Sequence, residues 1–373
     1  MGFVLNGEGC KQRQRRLLAE MQRSGWNLLV TSNYRTVYYF TGQLPAADAP
    51  CAFLAWDDGR TALLAPSVER AEALRTADEY RTVPVYSAER GVPLPHHDAA
   101  SVLLDWIAAR SARRVAVDRT SSISPCLDGL RAEDASAAIL RLRRRKEADE
   151  VEEIRASLAL CAVAYDTARL VLRPGLTELD VFLSLQNVIA QAAGAPVPLA
   201  GDFACGQRSV RGGGAATLRE LQRGDLCPLD LFPAPALYFG DTCRTFCVGG
   251  EPTAQQEKAF QLACAALELG ESLLQPGASA RAIYTGVKSF LDDAPETGKS
   301  FWHHLGHGIG LHGHEAPRLV AESGDVLEPG DVLTIEPGIY VDAYQGGIRV
   351  ENNYLITGTG FQRLFSYPLS LQP

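Results

Sequence analysis

An internal duplication limits the possible folds more than any other feature of this sequence. Leu172-Arg-Pro-Gly-Leu-Thr177 returns 102 residues later as Leu274-Gln-Pro-Gly-Ala-Ser279. Leu221-Gln-Arg-Gly-Asp-Leu-Cys-Pro-Leu-Asp230 returns 106 residues later as Leu327-Glu-Pro-Gly-Asp-Val-Leu-Thr-Ile-Glu336. In the first motif a Pro-Gly turn precedes Thr177 or Ser279, whose side-chain oxygens suit the N-cap of a helix. In the second, a Gly-Asp turn leads into a short apolar run ending in a carboxylate. The similar offsets imply two related halves, each with a long helix, a turn and a strand. Two copies are too few for a solenoid. A duplicated α/β (α+β) core remains, whose pseudo-twofold sets Asp230 and Glu336 at equivalent places on facing strands.

Each half supplies a second acid, Asp241 after Asp230 and Glu351 after Glu336, at separations that fit two short strands joined by a loop. Gly346-Gly347 reads as the turn of the second pair. Between the halves, Phe301 to Pro317 holds five of the seven histidines, His303, His304, His307, His312 and His314. Gly306, Gly308, Gly310 and Gly313 are interleaved with them, which rules out a stable helix and favours a loop or strand end passing close to a ligand. The Gly308 to Gly313 match to a dinucleotide fingerprint lacks a preceding strand, and His314-Glu315 lacks the second histidine of a zincin helix. Taken singly, any of these acids is an ordinary surface residue. Converging at matched points of a repeat, four carboxylates repel unless paired, protonated or bound to cations. Two divalent ions balance them by charge, and His307 completes an oxygen and nitrogen set suited to manganese, cobalt, zinc or iron. His303, His304 and His312 read as supporting or loop residues, with His303 alone able to face the pocket.

The preceding residues alternate between short β-rich and helical runs, as in a small α/β domain. A helix is expected over 11–24, strands at Trp26 to Thr31 and Thr36 to Thr41, and a hairpin of Cys51 to Trp56 with Thr61 to Ala65 around Asp58-Gly59. Arg81 to Tyr86, a helix near Ala99 to Ala109, and Val115 to Asp118 continue the pattern, and His96 and His97 read as solvated loop residues. Arg141 to Lys146 gives way to an acidic run from Glu147, which reads as a solvated helix start with i,i+4 ion pairs. The domain boundary is placed there, giving 1–140 and 141–373. A net charge of -8 argues against nucleic acid or an anionic membrane as partner. Nine cysteines without a Cys-x-x-Cys pair read as reduced thiols in a cytoplasmic protein. No apolar stretch near the start suits a signal peptide or membrane span.

From Lys146 to Tyr354 the chain resembles the pita-bread metallopeptidases, the group of methionine aminopeptidase, aminopeptidase P and prolidase, with creatinase as a metal-free relative. The matching motifs are Lys146-Glu-Ala-Asp-Glu-Val-Glu-Glu-Ile-Arg155, Pro174-Gly-Leu-Thr-Glu178, Asp230, Asp241-Thr-Cys-Arg-Thr245, Gly306-His-Gly-Ile-Gly310, His314-Glu-Ala-Pro317, Ile335-Glu-Pro-Gly338 and Gly347-Ile-Arg-Val-Glu351. The first 140 residues resemble, more loosely, the creatinase-type N-terminal domain. The resemblance implies Asp230 as ligand of one ion, His307 and Glu336 as ligands of the other, and Asp241 and Glu351 as bridges. It also implies hydrolysis by a water activated between the ions, with Glu336 relaying its proton. His314 would hydrogen-bond the oxyanion or the leaving amide, and Arg349 would hold the carboxylates by bidentate pairing. A homodimer acting on small peptides as an Xaa-Pro dipeptidase or aminopeptidase P type enzyme is the implied activity. In one place the chain departs from its relatives: Gly213 stands where such peptidases carry a pocket histidine, with Arg208 and Arg211 as nearby substitutes. That departure keeps open a non-peptide amide hydrolase of creatinase or ectoine-hydrolase type, and a binding module that has kept the fold without catalysis is the third reading.

Overall fold

A computed structural model of the chain describes residues 5–47, 49–87, 89, 91–93, 97–109, 113–119 and 132–372. The chain divides into two compact units, one of Val4–Arg143 with Glu147–Asp149 and the other of Arg144–Lys146 with Glu150–Pro373.

The first unit is built on a six-stranded mixed sheet in the order Glu79–Thr82, Thr61–Ala65, Ala52–Trp56, Leu28–Thr31, Val115–Val117, Ala132–Asp134. The expected hairpin is present, with Ala52 opposite Leu64 and Ala55 opposite Thr61 in antiparallel register. Leu28, Val30, Leu54, Trp56, Leu64, Trp106 and Val117 form its buried core. The first helix runs Gly7–Ser24, its N-terminus capped by Asn6. Two expectations are corrected here. Thr36 to Thr41 is no strand but part of the helix Tyr34–Thr41, started by the Asn33 side chain, which accepts from the N–H of Arg35 and Thr36. Its β-branched and aromatic residues have modest helix propensity, but Val37, Tyr38, Tyr39 and Phe40 are all fully buried, and that packing prevails over propensity. His97 opens the helix His97–Ala109 rather than lying in a loop, while His96 lies outside the described residues.

The second unit shows the duplication directly. Helices Ala148–Val171 and Glu178–Ala193 precede the antiparallel sheet of Leu199–Asp202, Leu226–Pro233 and Thr242–Cys247. Helices Ala254–Ser272 and Ala280–Asp293 precede the sheet ordered Glu315–Leu319, Gly306–Gly308, Val332–Ile335, Asn352–Ile356, Phe361–Arg363. Thr177 caps its helix in a reciprocal box with Asp180, and Ser279 caps the matching helix through the N–H of Ala282. The same backbone bonds recur: Gly175 donates to Leu221 and Gly277 to Leu327. Single bridges tie Thr177 to Glu220 and Ser279 to Val326. Ala280, Ile283, Val287 and Leu291 fall on one helical stripe and pack with Leu333, Ile335 and Ile348 of the strands. The two halves are joined where Glu351 N–H donates to Cys243 at 3.1 Å and Arg349 N–H to the Thr245 hydroxyl at 2.9 Å.

Three further readings change. The basic and acidic runs around residue 146 do not form one solvated helix, because Ser136–Arg144 ends before Ala148–Val171 begins. Their charges reach distant partners instead. Arg144 forks onto Asp331 with two 2.7 Å bonds, and Lys146 sits 3.1 Å from Glu315 with both side chains nearly fully buried. Gly346-Gly347 begins the strand Gly346–Arg349 paired with Gly338–Val341, and the turn falls at Asp342–Tyr344. Cys205 and Cys227 form a disulfide with Cα atoms 4.3 Å apart, so the all-reduced reading does not hold. Their separation of 22 residues matches no pairing motif. Among the described residues, no helix is long and apolar enough to cross a membrane.

Candidate metal centre

Both sheets send acids to one cavity. Asp230 lies inside the strand Leu226–Pro233, and Asp241 immediately precedes Thr242–Cys247. Glu336 directly follows Val332–Ile335, and Glu351 directly precedes Asn352–Ile356, with Ile335 and Asn352 paired. His307 is the middle residue of Gly306–Gly308. Gly306 is required there, since a Cβ on it would lie 2.0 Å from the carbonyl oxygen of Thr334. A cavity of about 480 Å³ is lined by Asp230, Asp241, His307, Glu336, His314 and Arg349 among others. Glu351 lies buried beside it.

Ligand atoms of Asp241, His307 and Glu351 all fall within 4.8 Å of one another. Nε2 of His307 is 3.5 Å from Asp241 and 3.4 Å from Glu336. Asp230 is brought to the cavity but turned aside: its Oδ2 accepts from Nη2 of Arg349 at 2.5 Å. The same nitrogen donates to Asp202 at 2.7 Å. Arg349 therefore spans two carboxylates from one nitrogen rather than gripping one bidentately, and its Nη1 donates to the carbonyl of Gly212. Arg244 fixes the approach of Glu351 by donating to its backbone carbonyl at 2.6 Å.

Burial drives the electrostatics. Loss of solvation, reinforced by the neighbouring acids, pushes Asp241 and Glu351 well above the ordinary carboxylate range. Burial also raises Asp230 to about 7, against the pull of Arg349. Burial would lift Glu336 too, but its contacts with His304 and His307 outweigh that and hold it well below the usual range. Neither oxygen of Glu351 and not Oδ1 of Asp230 has a hydrogen-bond partner among the described residues. Buried, unpartnered carboxylates are costly, and divalent cations supply what these oxygens lack. The residues therefore fit a metal centre.

The histidines divide differently from expectation. His303 faces the cavity, bonded through Nε2 to the Tyr340 hydroxyl at 2.8 Å and through Nδ1 to the carbonyl of His304 at 2.7 Å. His304 also lines it, with Nδ1 3.1 Å from Oε1 of Glu336, so of the two roles read for it the supporting one applies. His314 stacks on His307 with ring centroids 3.8 Å apart. His312 stays in the loop, its N–H donating to Glu315. Spacing alone could not separate His304 from His312, since both belong to one glycine-broken segment. Asp202 and Tyr340 were missed, because no motif or repeat position marks them. Of the two arginines near Gly213, Arg208 is engaged by Glu178 and Ala215, while Arg211 lines the cavity.

A duplicated α/β core with buried acids and an imidazole around one cavity defines a hydrolase-type metal centre, and comparison with known proteins gives the family. Residues 152–358 match the profile of metallopeptidase family M24, and residues 13–144 match the creatinase/prolidase N-terminal domain. The chain belongs to metallopeptidase family M24. It is 29% identical over 234 residues to an uncharacterized peptidase of Bacillus subtilis, covering 63% of this chain and 65% of that protein. It is 31% identical over 223 residues to the Xaa-Pro dipeptidase of Pyrococcus furiosus, covering 60% and 63%. These matches span less than two thirds of either relative. The fold is that of the prolidase from Pyrococcus horikoshii, with a TM-score of 0.79 at 22% identity over 96% of this chain and 99% of that one.

Proposed function

We propose that this protein is a dinuclear metal-dependent peptidase that cleaves the C–N bond of small Xaa-Pro peptides. The observation that carries the reading is the meeting of Asp241, His307 and Glu351 beside Glu336, with both oxygens of Glu351 buried and unpartnered. In this reading Asp230, Asp241, His307, Glu336 and Glu351 would hold the ions. When bound, such ions supply Lewis acidity and lower the pKa of water. Glu336, with two imidazoles beside it, takes the proton of the attacking water and returns it to the leaving amine. His314, held flat on His307 and open to the cavity, donates to the developing oxyanion or the leaving amide. Arg349 holds Asp230 in place and pulls it toward the ionised form. The similarity to Xaa-Pro dipeptidases supports the substrate class. We further propose the division at residues 140 and 141, with 141–373 as the catalytic part, and a homodimer in the cytoplasm.

A second reading, hydrolysis of a non-peptide amide, is favoured by Gly213, beside which the Asp202 carboxylate fills the space of a side chain. Turnover separates the two. Metal-stripped protein reconstituted with Mn²⁺, Co²⁺ or Zn²⁺ is expected to hydrolyse a panel of Xaa-Pro peptides. Tight metal binding without cleavage of any of them would contradict the peptidase reading and favour a small amide.

A further inference from the structure

We infer that Asp202 sets the charge preference of the pocket, selecting substrates whose leaving side is uncharged or cationic and disfavouring dipeptides with a free carboxylate. The inference rests on the peptidase reading and names its substrate class more narrowly.

Asp202 occupies the space that a side chain at Gly213 would need. A Cβ on Gly213 would lie 2.1 Å from Oδ2 of Asp202. The two positions are therefore coupled: a side chain at 213 would require the Asp202 carboxylate to swing away from the place it holds. Asp202 ends the strand Leu199–Asp202 and is paired in register with Asp230. Its Oδ1 accepts from the N–H of Gly214 at 2.9 Å and its Oδ2 from Arg349 at 2.7 Å. The side chain is 29% exposed and lines the cavity. A carboxylate fixed by two donors still has lone pairs free, and it only accepts. It matches a donor or cation and repels an acid.

Charge counting shows that Asp202 leaves the buried part of the wall neutral, with no buried cation free to pair with a substrate carboxylate. In the proposed centre, Asp230, Asp241, Glu336 and Glu351 balance two divalent cations, leaving the positive charge of Arg349. A buried guanidinium of that kind would otherwise hold a substrate carboxylate. Asp202 takes up that charge on the nitrogen that also serves Asp230. Arg211, the other arginine on the wall, is exposed, and solvent weakens its pull. Trp302, 62% exposed at the same wall, and Phe232 supply apolar surface for an uncharged group.

The test uses the full chain loaded with Mn²⁺ and a matched pair of probes, prolinamide and proline, titrated by calorimetry. Wild type should bind prolinamide about tenfold more tightly than proline, as one uncompensated charge in a partly buried pocket implies. Asp202→Asn, close in shape, should shift that ratio toward proline by about the same factor, and Asp202→Ser gives a second variant should the first fail to fold. An unchanged ratio in the variants, or no binding of either probe by wild type, would overturn the inference. Equal kcat/KM for Ala-Pro and Ala-Pro-amide in wild type would overturn it as well. Selective binding of prolinamide with no hydrolysis of any Xaa-Pro peptide would instead remove the peptidase reading alone.

Discussion

In the first half of the duplicated core, Arg219 forks onto Asp225 and closes the turn before the strand that carries Asp230. In the second half the matching Asp331 before Glu336 is forked instead by Arg144, which comes from ahead of the first half. The helix caps and backbone bridges repeat as well. The pocket faces do not. No histidine lies between His97 and His303, so the first half brings no imidazole to its acids, and Arg349 of the second half answers Asp230. The second half answers its own Glu336 with His304 and His307. The duplication thus repeats what holds each half together, namely capped helices and a turn aspartate gripped by an arginine, although the two arginines come from different places in the chain. A further asymmetry lies in the groups that meet the cavity, where one half is neutralised by an arginine and the other by imidazoles.

The largest expected effect breaks the acid cluster. Asp241→Ala removes a carboxylate proposed to hold the ions, and kcat/KM toward any substrate found should fall by roughly a thousandfold or more. Activity within a few-fold of wild type would dissolve the link between the halves. Next, Arg349→Met leaves Asp230 and Asp202 without their cation. Denaturant unfolding of the metal-free protein should show a loss of about 3–5 kcal/mol, the usual cost of breaking a buried pair from one side. A loss below about 1 kcal/mol would mean that Arg349 does not support the first half's acid.

Metal removal should leave a pH signature of defined sign. Without cations, Asp241 and Glu351 keep protons well above the ordinary carboxylate range and Asp230 up to about 7. An acid with a raised folded pKa favours folding at low pH, and that contribution is lost as pH climbs from about 4 through about 7. Glu336 acts in the opposite sense, one group against three. The thermal midpoint of stripped protein should therefore drop between about pH 5 and pH 8, and saturating Mn²⁺ should flatten the dependence. A midpoint that rises over that window would contradict the burial argument. The smallest effect checks the symmetric scaffold: Thr177→Ala and Ser279→Ala should each cost about 1 kcal/mol. A much larger loss at one cap would show that the halves are not energetically alike.

What the sequence revealed and what it hid differ by range. The duplication, the caps at Thr177 and Ser279 and the acids at its matched points were legible because turn chemistry and spacing are local. His307 and His314 were legible through the glycine-rich segment that holds them. Asp202 was not, since its role comes from register with Asp230 and from the room left by Gly213. His304 and His312 looked alike until the strand Gly306–Gly308 fixed which one meets Glu336. Lys146 read as a solvated charge because its partner, Glu315, lies far along the chain. The helix Tyr34–Thr41 read as a strand because burial, not propensity, decides it.

The central claim is that the buried acids of the two halves form one cation site. Counting bound metal by elemental analysis after stripping and reloading with Mn²⁺ tests it most directly. Two ions per chain in wild type, with loss of both in Asp241→Ala, is the expected result. A folded wild-type protein that retains no divalent ion, or binds as much after Asp241→Ala as before, would contradict it.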